Sequence, residues 1–255
     1  MIRRITSIAR EAGQIILDYK SAAIHQKEGH FNFVTDADVA VQEFLRAKLL
    51  TLLPDARFFS EEQDNDPLTA LPTFVVDPID GTINFMRHRD CSAVSIALLK
   101  GKLPVLGVVY NPFTDEMFTA ELGKGAFCNN KSIHVSDVPF ENAVVSIGTS
   151  PYDAELAERG MKAALQFLIH AGDLRRTGSA ALDLCDVARG CTDIYFELRL
   201  RPWDYAAGSL IVCEAGGYFR SLGHPQPYFD SAAGVLACNP ACSAEAAKIL
   251  KDILG

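Results

Sequence analysis

The order of the predicted elements in this 255-residue chain indicates a fold that combines α+β and α/β architecture in two halves. Two helices and an antiparallel meander are predicted in residues 1–141, which form the α+β half. Strands and helices alternate in residues 142–255, and such alternation is typical of α/β architecture. No repeat, low-complexity tract or flexible linker separates the halves. We therefore expect the two halves to form one compact unit.

Two helices are predicted within the first 53 residues. Apolar residues between Ile2 and Tyr19 recur at steps of three, one and three, which places them on one helix face. A second helix is predicted from Asp38 to Leu53, where Pro54 ends it. The segment between them, His25 to Thr35, is predicted to be a loop or a hairpin. In the second helix we expect five side chains to face the core: Val39, Phe44, Leu45, Leu49 and Leu50.

Short apolar runs separated by turn residues occupy the chain from Thr73 to Val135. Asn111-Pro112 and Asn129-Asn130 are dipeptides typical of turns. This pattern predicts an antiparallel meander. Its runs after the first are Ala93–Leu99, Leu106–Tyr110, Glu116–Ala120 and Gly125–Cys128.

The second half begins near Pro139 to Asn142 and alternates between strands and helices. The predicted strands are Ala143–Gly148, Asp193–Phe196 and Gly234–Cys238. The predicted helices are Ala154–His170, Ser179–Ala188, Asp204–Ala215 and Pro240–Leu254. Gly216-Gly217 follows the third of these helices, and glycine is a common residue just past a helix end.

The composition excludes some classes of function. The chain has 32 acidic and 24 basic residues and a formal charge of −8, whereas general nucleic-acid binding needs a basic surface. Its seven cysteines lack the spacing of a zinc site, and Cys185, Cys213 and Cys238 stand in apolar contexts typical of core positions. No run is long and apolar enough to cross a bilayer. We therefore expect a protein of the reducing cytoplasm, without a membrane or nucleic-acid partner.

The clearest chemical signal follows the apolar run Thr73–Val76, at the end of a predicted strand. Asp77 and Asp80 place two carboxylates three residues apart, and Mg²⁺ prefers such oxygen ligands. Gly81 allows a ligand to approach the backbone, and the hydroxyl of Thr82 can orient a water or an oxyanion. Asp, Pro and Gly also dominate ordinary turns, so this motif alone leaves both interpretations open.

Three further acidic segments accompany this motif. Phe58–Glu62 ends in a glutamate pair, Pro202–Gly208 contains Asp204, and Val34–Asp38 ends in Asp38. Each alone has an ordinary explanation, because paired glutamates are usually solvated and an aspartate often caps a helix. Together with Asp77–Thr82, and in this order along nearly the whole chain, they resemble the inositol monophosphatase family of magnesium-dependent sugar phosphatases. The resemblance also covers Arg176–Ala181 and Glu214–Gly217.

The resemblance implies a layered α-β-α-β-α sandwich of the inositol monophosphatase/fructose-1,6-bisphosphatase type. It also implies a site between the two halves of the chain, with two or three Mg²⁺ ions in it. The implied ligands of the first ion are Glu61, Asp77 and the carbonyl oxygen of Ile79. Asp77, Asp80 and Asp204 are those of the second, and Glu61 also serves a weaker third ion through waters.

The same resemblance implies roles in catalysis and substrate binding. Glu61, Thr82 and Asp38 are the implied catalytic residues, with Thr82 and Asp38 orienting the attacking water. Lys27 stands where the family often has a lysine near the metals, although a solvated lysine is a comparable explanation. The implied substrate contacts are Asp80, Gly81, Thr82, Gly178, Ser179, Ala180, Glu197 and Asp204.

The implied reaction is magnesium-dependent hydrolysis of a small sugar or polyol phosphate monoester, with myo-inositol 1-phosphate as the leading substrate. Lithium inhibition and a homodimer are also implied. Two departures from the family pattern, Arg199 and the loop Met86–Asp90, leave fructose 1,6-bisphosphate open as a substrate. A 3′-phosphoadenosine nucleotide and a regulatory role in binding another protein are further alternatives.

Overall fold

The computed structural model describes residues 1–19, 24–26 and 33–254. In this part of the chain, the α-helices are α1 Ile2–Asp18, α2 Asp36–Leu52, α3 Thr82–Met86, α4 Ala154–His170, α5 Ala180–Ala188, α6 Pro202–Glu214 and α7 Ser243–Leu254. None of them combines the length and the apolar character that a membrane-spanning helix needs. Two strands, β1 Ile24–Gln26 and β2 Phe33–Thr35, form a separate antiparallel pair.

The remaining strands form two sheets. The first sheet follows chain order, with β3 and β4 parallel and the other pairs antiparallel. Its strands are β3 Arg57–Ser60, β4 Thr73–Asp80, β5 Ala93–Lys100, β6 Leu103–Asn111, β7 Glu116–Glu121, β8 Ala126–Cys128 and β9 Lys131–Ile133. The second sheet has the order β11-β10-β12-β14-β13. Its strands are β10 Val144–Ile147, β11 Asp173–Arg175, β12 Ile194–Leu200, β13 Tyr218–Ser221 and β14 Ala233–Cys238.

Three apolar cores hold these sheets and helices in five layers. The first core packs α1 and α2 against one face of the first sheet. The second places α5 and α6 between the two sheets, and the third packs α4 and α7 on the outer face of the second sheet. A helix that is apolar on all sides is expected in the interior, and α6 has nine buried residues because both of its sides face a sheet. The predicted α-β-α-β-α sandwich is thus confirmed.

The two sheets divide the chain near a 3₁₀ turn at Phe140–Asn142. Residues 57–133 form the first sheet and residues 144–238 form the second. However, α5 and α6 belong to the second half and share one core with the first sheet. We keep the division into residues 1–141 and 142–255 as a proposal.

Several details of the sequence-based prediction are wrong. Helix α2 begins at Asp36 rather than Asp38, because Thr35 and Asp38 form a capping box. Val39 was expected to face the core but is 44% exposed. Cys185 and Cys238 are buried as predicted, whereas Cys213 is exposed. Four short strands, β3, β9, β11 and β13, were not predicted. All four lie at sheet edges, where three or four residues are enough to pair and no long apolar run is needed.

Candidate active site

An irregularity in β4 brings its two aspartates to one place. Residues three apart in a regular strand point to opposite faces of the sheet. Here Asp77 pairs with Ser95 and Asp80 pairs with Ala93, so β4 has one residue more than β5 over this interval. Such a bulge changes the direction of the side chains that follow it. As a result, carboxylate oxygens of Asp77, Asp80 and Asp204 lie within 4.8 Å of one another.

The three carboxylates are each held through one oxygen. The hydrogen bonds are Ile79 N to Asp77 Oδ1 (3.0 Å), Ala181 N and Ser179 Oγ to Asp80 Oδ2 (2.9 Å for Ala181), and Arg201 N to Asp204 Oδ2 (2.6 Å). Their other oxygens accept no hydrogen bond from the described residues. This arrangement fixes the side chains and keeps lone pairs available for a cation. Asp204 thus binds the backbone N–H group of Arg201 at the start of α6 and also belongs to the acidic cluster.

The electrostatics of the cluster favour a bound cation. Burial raises the pKa of Asp77 well above its usual range, and the charges of Glu61, Asp80 and Asp204 raise it further. Burial likewise raises the pKa of Asp80 to about 7, and burial and the charge of Glu61 raise that of Asp204. A divalent cation removes the cost of ionising such a group. Because the donors are carboxylate oxygens, the residues fit Mg²⁺ better than a metal that prefers nitrogen or sulfur.

Glu61 follows β3 and lines the same cavity, whose volume is about 600 Å³. It lies outside the tight group of three carboxylates, although its charge acts on Asp77 and Asp204. Ile79 is buried in β4 and also lines the cavity. The structure therefore brings together all five predicted metal-site residues around one cavity.

The turn from β4 into α3 contributes a hydroxyl and a helix N-terminus. Gly81 caps α3 with a φ of 88°, and a Cβ there would lie only 3.0 Å from the carbonyl oxygen of Cys91. Glycine alone suits this position. The hydroxyl oxygen of Thr82 lies 3.3 Å from Asp38 Oδ1 and 3.1 Å from the carbonyl oxygen of Ile79. The fold thus joins the predicted pair Thr82 and Asp38, which are 44 residues apart in sequence.

The opposite wall of the cavity is formed by α5 and β12. Gly178, Ser179 and Ala180 lie at the start of α5 and line the cavity. Ser179 also caps this helix, since its side chain accepts a hydrogen bond from Leu182 N. A further cavity residue is Asp183, a buried carboxylate that the sequence analysis missed because no motif distinguishes it.

Both carboxylate oxygens of Glu197, on β12, accept hydrogen bonds from other protein groups. The resemblance implied only a contact with the substrate. Its Oε1 accepts hydrogen bonds from Ser150 N (2.8 Å) and Ser150 Oγ (3.3 Å), and its Oε2 accepts one from the Tyr195 hydroxyl (3.0 Å). Ser150 has a φ of 40°, a strained value for a residue other than glycine. Glu197 therefore fixes the loop from Gly148 to Ser150, and Oε2 keeps a lone pair for a ligand. The sequence contains no signal for Ser150 or Tyr195 in this role.

The two departures from the family pattern lie at different distances from the cavity. Arg199 lines the cavity, half of its side chain is exposed, and its Nη1 is 3.1 Å from Asp153 Oδ2. Arg87, His88, Arg89 and Asp90 are exposed and do not line this cavity. Lys27, the remaining candidate, lies outside the described residues.

The layered sandwich holds a carboxylate cluster between its sheets, and such a cluster is typical of a metal-dependent enzyme. Residues 1–254 match the inositol monophosphatase family, and the chain belongs to this family. The family consists of metal-dependent phosphatases, so the chain is a phosphatase whose substrate is a phosphorylated small molecule.

Two relatives illustrate the range of the similarity. The chain is 42% identical over 220 residues to inositol monophosphatase 2 of Solanum lycopersicum, and the matched region covers 82% of each protein. It is 36% identical over 217 residues to the Nus factor SuhB of Xylella fastidiosa, and the matched region covers 82% of this chain and 78% of the relative.

Solved structures agree with this membership. The extragenic suppressor protein suhB of Bartonella henselae superposes with a TM-score of 0.89 at 31% identity, over 98% of both chains. An IMPase/NADP phosphatase in complex with Mg²⁺ and phosphate superposes with a TM-score of 0.86 at 24% identity, over 96% of this chain and 92% of that one. The second similarity is one of fold.

Proposed function

We propose that this protein hydrolyses a small sugar or polyol phosphate monoester in a magnesium-dependent reaction, and that myo-inositol 1-phosphate is the leading substrate. The observation that carries the proposal is the cluster of Asp77, Asp80 and Asp204, with carboxylate oxygens within 4.8 Å of one another. Close carboxylates in a desolvated site need cations to remain ionised. The relatives named inositol monophosphatase support the choice of substrate.

The residues assigned to the cations are those expected from the family resemblance. Glu61, Asp77 and the carbonyl oxygen of Ile79 would hold the first Mg²⁺ ion, and Asp77, Asp80 and Asp204 would hold the second. Glu61 would also serve a weaker third ion. When bound, the cations supply positive charge that admits the phosphate group and lower the pKa of a water in the site.

Asp38 and Thr82 orient the attacking water. Asp38 Oδ2 is already bonded to the N–H group and the hydroxyl of Thr35, at 2.7 and 2.5 Å. Its Oδ1 faces the Thr82 hydroxyl. When that hydroxyl donates to Asp38, its oxygen keeps a lone pair that accepts a hydrogen bond from the water. The proton of the water then passes through Thr82 Oγ1 to Asp38 Oδ1.

Backbone groups and the second half of the chain hold the substrate. The first N–H groups of a helix have no acceptor within it, so those of Gly81 and Thr82 bind the phosphate at the start of α3. Gly178, Ser179 and Ala180 border the alcohol part of the ester, and Glu197 Oε2 accepts a hydrogen bond from one of the hydroxyl groups of the ester. Asp80 and Asp204 face the same space. A cavity of about 600 Å³ suits a molecule of this size.

The test is phosphate release with Mg²⁺ from inositol 1-phosphate, fructose 1,6-bisphosphate, 2′-AMP and 3′-phosphoadenosine 5′-phosphate. We expect the fastest turnover with inositol 1-phosphate, and a loss of at least about 100-fold in Asp80→Asn. The matched control is Asp64→Asn, which removes an exposed carboxylate and should keep full activity. Turnover that does not depend on Mg²⁺, or that survives in Asp80→Asn, contradicts the mechanism.

Fructose 1,6-bisphosphate is the first alternative substrate, because Arg199 lines the cavity and arginine binds phosphate well. Arg199→Gly should then lower kcat/KM for the bisphosphate much more than for inositol 1-phosphate. Equal effects on both esters exclude a second phosphate at Arg199. A 3′-phosphoadenosine nucleotide is the second alternative, and the same set of esters tests it.

A regulatory role is the candidate from another class, and the relative named Nus factor SuhB favours it. The Asp80→Asn variant separates the two functions. If the variant loses hydrolysis but restores the normal phenotype to a cell from which the protein has been deleted, the regulatory role is the essential one. If it restores nothing although it is folded and expressed, hydrolysis is essential.

The family resemblance also underlies three further proposals: inhibition by lithium, a homodimer and a cytoplasmic location. Lithium acts by replacing one Mg²⁺ ion. The first two are tested by the assays described in the Discussion, and cell fractionation tests the third.

A further inference from the structure

One buried amide, that of Gln42 on α2, holds both neighbours of Glu61. Gln42 Oε1 accepts hydrogen bonds from Ser60 Oγ (2.6 Å) and Glu62 N (3.0 Å). Gln42 Nε2 donates a hydrogen bond to the carbonyl oxygen of Glu62 (2.8 Å). Gln42 is 9% exposed and Ser60 is fully buried, so water cannot readily replace these bonds.

The helix that carries Gln42 also carries Asp38. Residues four apart lie on the same face of a helix, about 6 Å from each other along its axis. On this face, Asp38 reaches Thr82 and Gln42 reaches the turn that contains Glu61. The capping box of Thr35 and Asp38 fixes the start of the same helix. A rigid helix thus sets the distance between Asp38 and the turn at residues 60–62.

The turn has a second brace, which comes from its own loop. Asn65 Oδ1 accepts a hydrogen bond from Ser60 N (3.0 Å), and Asn65 Nδ2 donates one to the carbonyl oxygen of Ser60 (2.6 Å). These bonds shape the loop, but both partners belong to it. Gln42 differs because its hydrogen bonds connect the turn to α2, although Gln42 and Glu62 are 20 residues apart in sequence.

We propose that Gln42 is a positioning residue for Glu61, which holds the Glu61 carboxylate at the cation site relative to Asp38 and Thr82. The inference rests on the proposed function, since it assumes that Glu61 binds Mg²⁺. Gln42 does not line the cavity and therefore acts only through the turn. Its loss should weaken Mg²⁺ binding and lower kcat, while KM for the ester at saturating Mg²⁺ stays within about twofold.

The first test is Gln42→Met, which keeps the length of the side chain and removes all three hydrogen bonds. Titration calorimetry with Mg²⁺ alone should show a Kd about tenfold higher than in the wild type, which corresponds to about 1.4 kcal/mol. The matched control is Leu49→Val, a change in the buried face of the same helix. It should lower stability and leave the Mg²⁺ Kd within twofold.

A double-mutant cycle with Ser60→Ala tests whether Gln42 acts through the turn. Ser60→Ala removes one of the three bonds and should raise the Mg²⁺ Kd by about threefold. In the Gln42→Met background the same change should have little further effect, because the bond is already absent. If Gln42→Met does not fold, Ser60→Ala alone still decides: a Kd equal to that of the wild type overturns the proposal.

The possible results separate this inference from the function on which it rests. If the wild type binds Mg²⁺ and hydrolyses an ester, but folded Gln42→Met binds Mg²⁺ within twofold of the wild type, only the role of Gln42 is refuted. If the wild type neither binds Mg²⁺ nor hydrolyses any ester, the proposed function fails and the inference fails with it.

Discussion

Replacing Asp183 by asparagine should stabilise the protein at pH 8 relative to the wild type. Asp183 lies on α5, is 1% exposed, and accepts one hydrogen bond from Thr177 Oγ1 (2.8 Å). Its Oδ1 and the Ser146 Oγ form no hydrogen bond of good geometry with the described residues, although the Ser146 hydroxyl is near enough to lower the pKa of Asp183. Burial raises the pKa of Asp183 to about 8, although the hydroxyls of Thr177 and Ser146 lower it, and the charges of Asp186 and Asp80 make smaller raising contributions. Asp183 is therefore a neutral acid in the folded protein at pH 7.

The pH dependence follows from the difference between the folded and unfolded states. Below about pH 4 the carboxyl is protonated in both states, so it does not oppose folding. Between about pH 4 and pH 8 it ionises only in the unfolded chain, and the free energy of unfolding falls by about 1.4 kcal/mol per pH unit. Above about pH 8 both states are ionised. From pH 5 to pH 8 the wild type should therefore lose about 4 kcal/mol relative to Asp183→Asn, whose amide does not titrate.

The assay is urea unfolding of both proteins at pH 5 and pH 8, followed by circular dichroism in the presence of EDTA. Chelation matters because bound Mg²⁺ would change the charge near Asp80. Asp252→Asn removes an exposed carboxylate from α7 and serves as the matched control. Its stability relative to the wild type should be the same at both pH values.

The difference in unfolding free energy between the wild type and Asp183→Asn should change by about 4 kcal/mol from pH 5 to pH 8. A change smaller than about 1 kcal/mol would refute this reasoning. It would mean that Asp183 ionises in the folded protein almost as easily as in water. A variant that is less stable than the wild type at both pH values, by the same amount, would show that packing rather than ionisation governs this position.

Four further predictions concern the cavity, the core, inhibition and assembly. Gly148→Ala should lower kcat/KM at least about tenfold, because a Cβ there overlaps the Glu197 carboxylate. Gly107→Ala should lower the free energy of unfolding in urea by about 1 to 3 kcal/mol, since its Cβ would lie 2.7 Å from the carbonyl oxygen of Ala207. Lithium at millimolar concentration should reduce magnesium-dependent phosphate release. Light scattering should give the mass of a dimer, twice 27.8 kDa.

Each of these predictions has a result that contradicts it. Full activity of Gly148→Ala would show that Glu197 is free to move. An unchanged unfolding free energy in Gly107→Ala would show that α6 can shift away from the first sheet. Hydrolysis that is insensitive to lithium removes that family property from this protein, and a mass near 27.8 kDa removes the dimer.

Much of the fold could be predicted because local patterns determine it. Helices α1 and α4 have strong apolar periodicity, and their predicted bounds lie within about a residue of those observed. The pattern of apolar residues was less informative for strands at sheet edges and for the side of a helix that a residue occupies. Val39 is an apolar residue on the solvent side of α2, and β13 is too short to show a strand period. Neither position is decided by its neighbours in sequence.

The candidate site was predictable as a set of residues, because carboxylates next to glycine and threonine indicate cation and phosphate chemistry wherever they fold together. Asp77, Asp80 and Asp204 meet as expected. The bonded state of Glu197 was not predictable, since its partner Ser150 is 47 residues away. The role proposed for Gln42 also depends on bonds between distant segments.

The sequence by itself determined which side chains can hold a cation and which elements carry them. Only the tertiary structure decided that these side chains point to one place. The bulge in β4 turns Asp77 and Asp80 to the same side, and α2 spans the distance between Asp38 and the turn of Glu61. The physical reason is that ligand chemistry belongs to single residues, whereas direction and distance arise from hydrogen bonds between segments that are far apart in the chain.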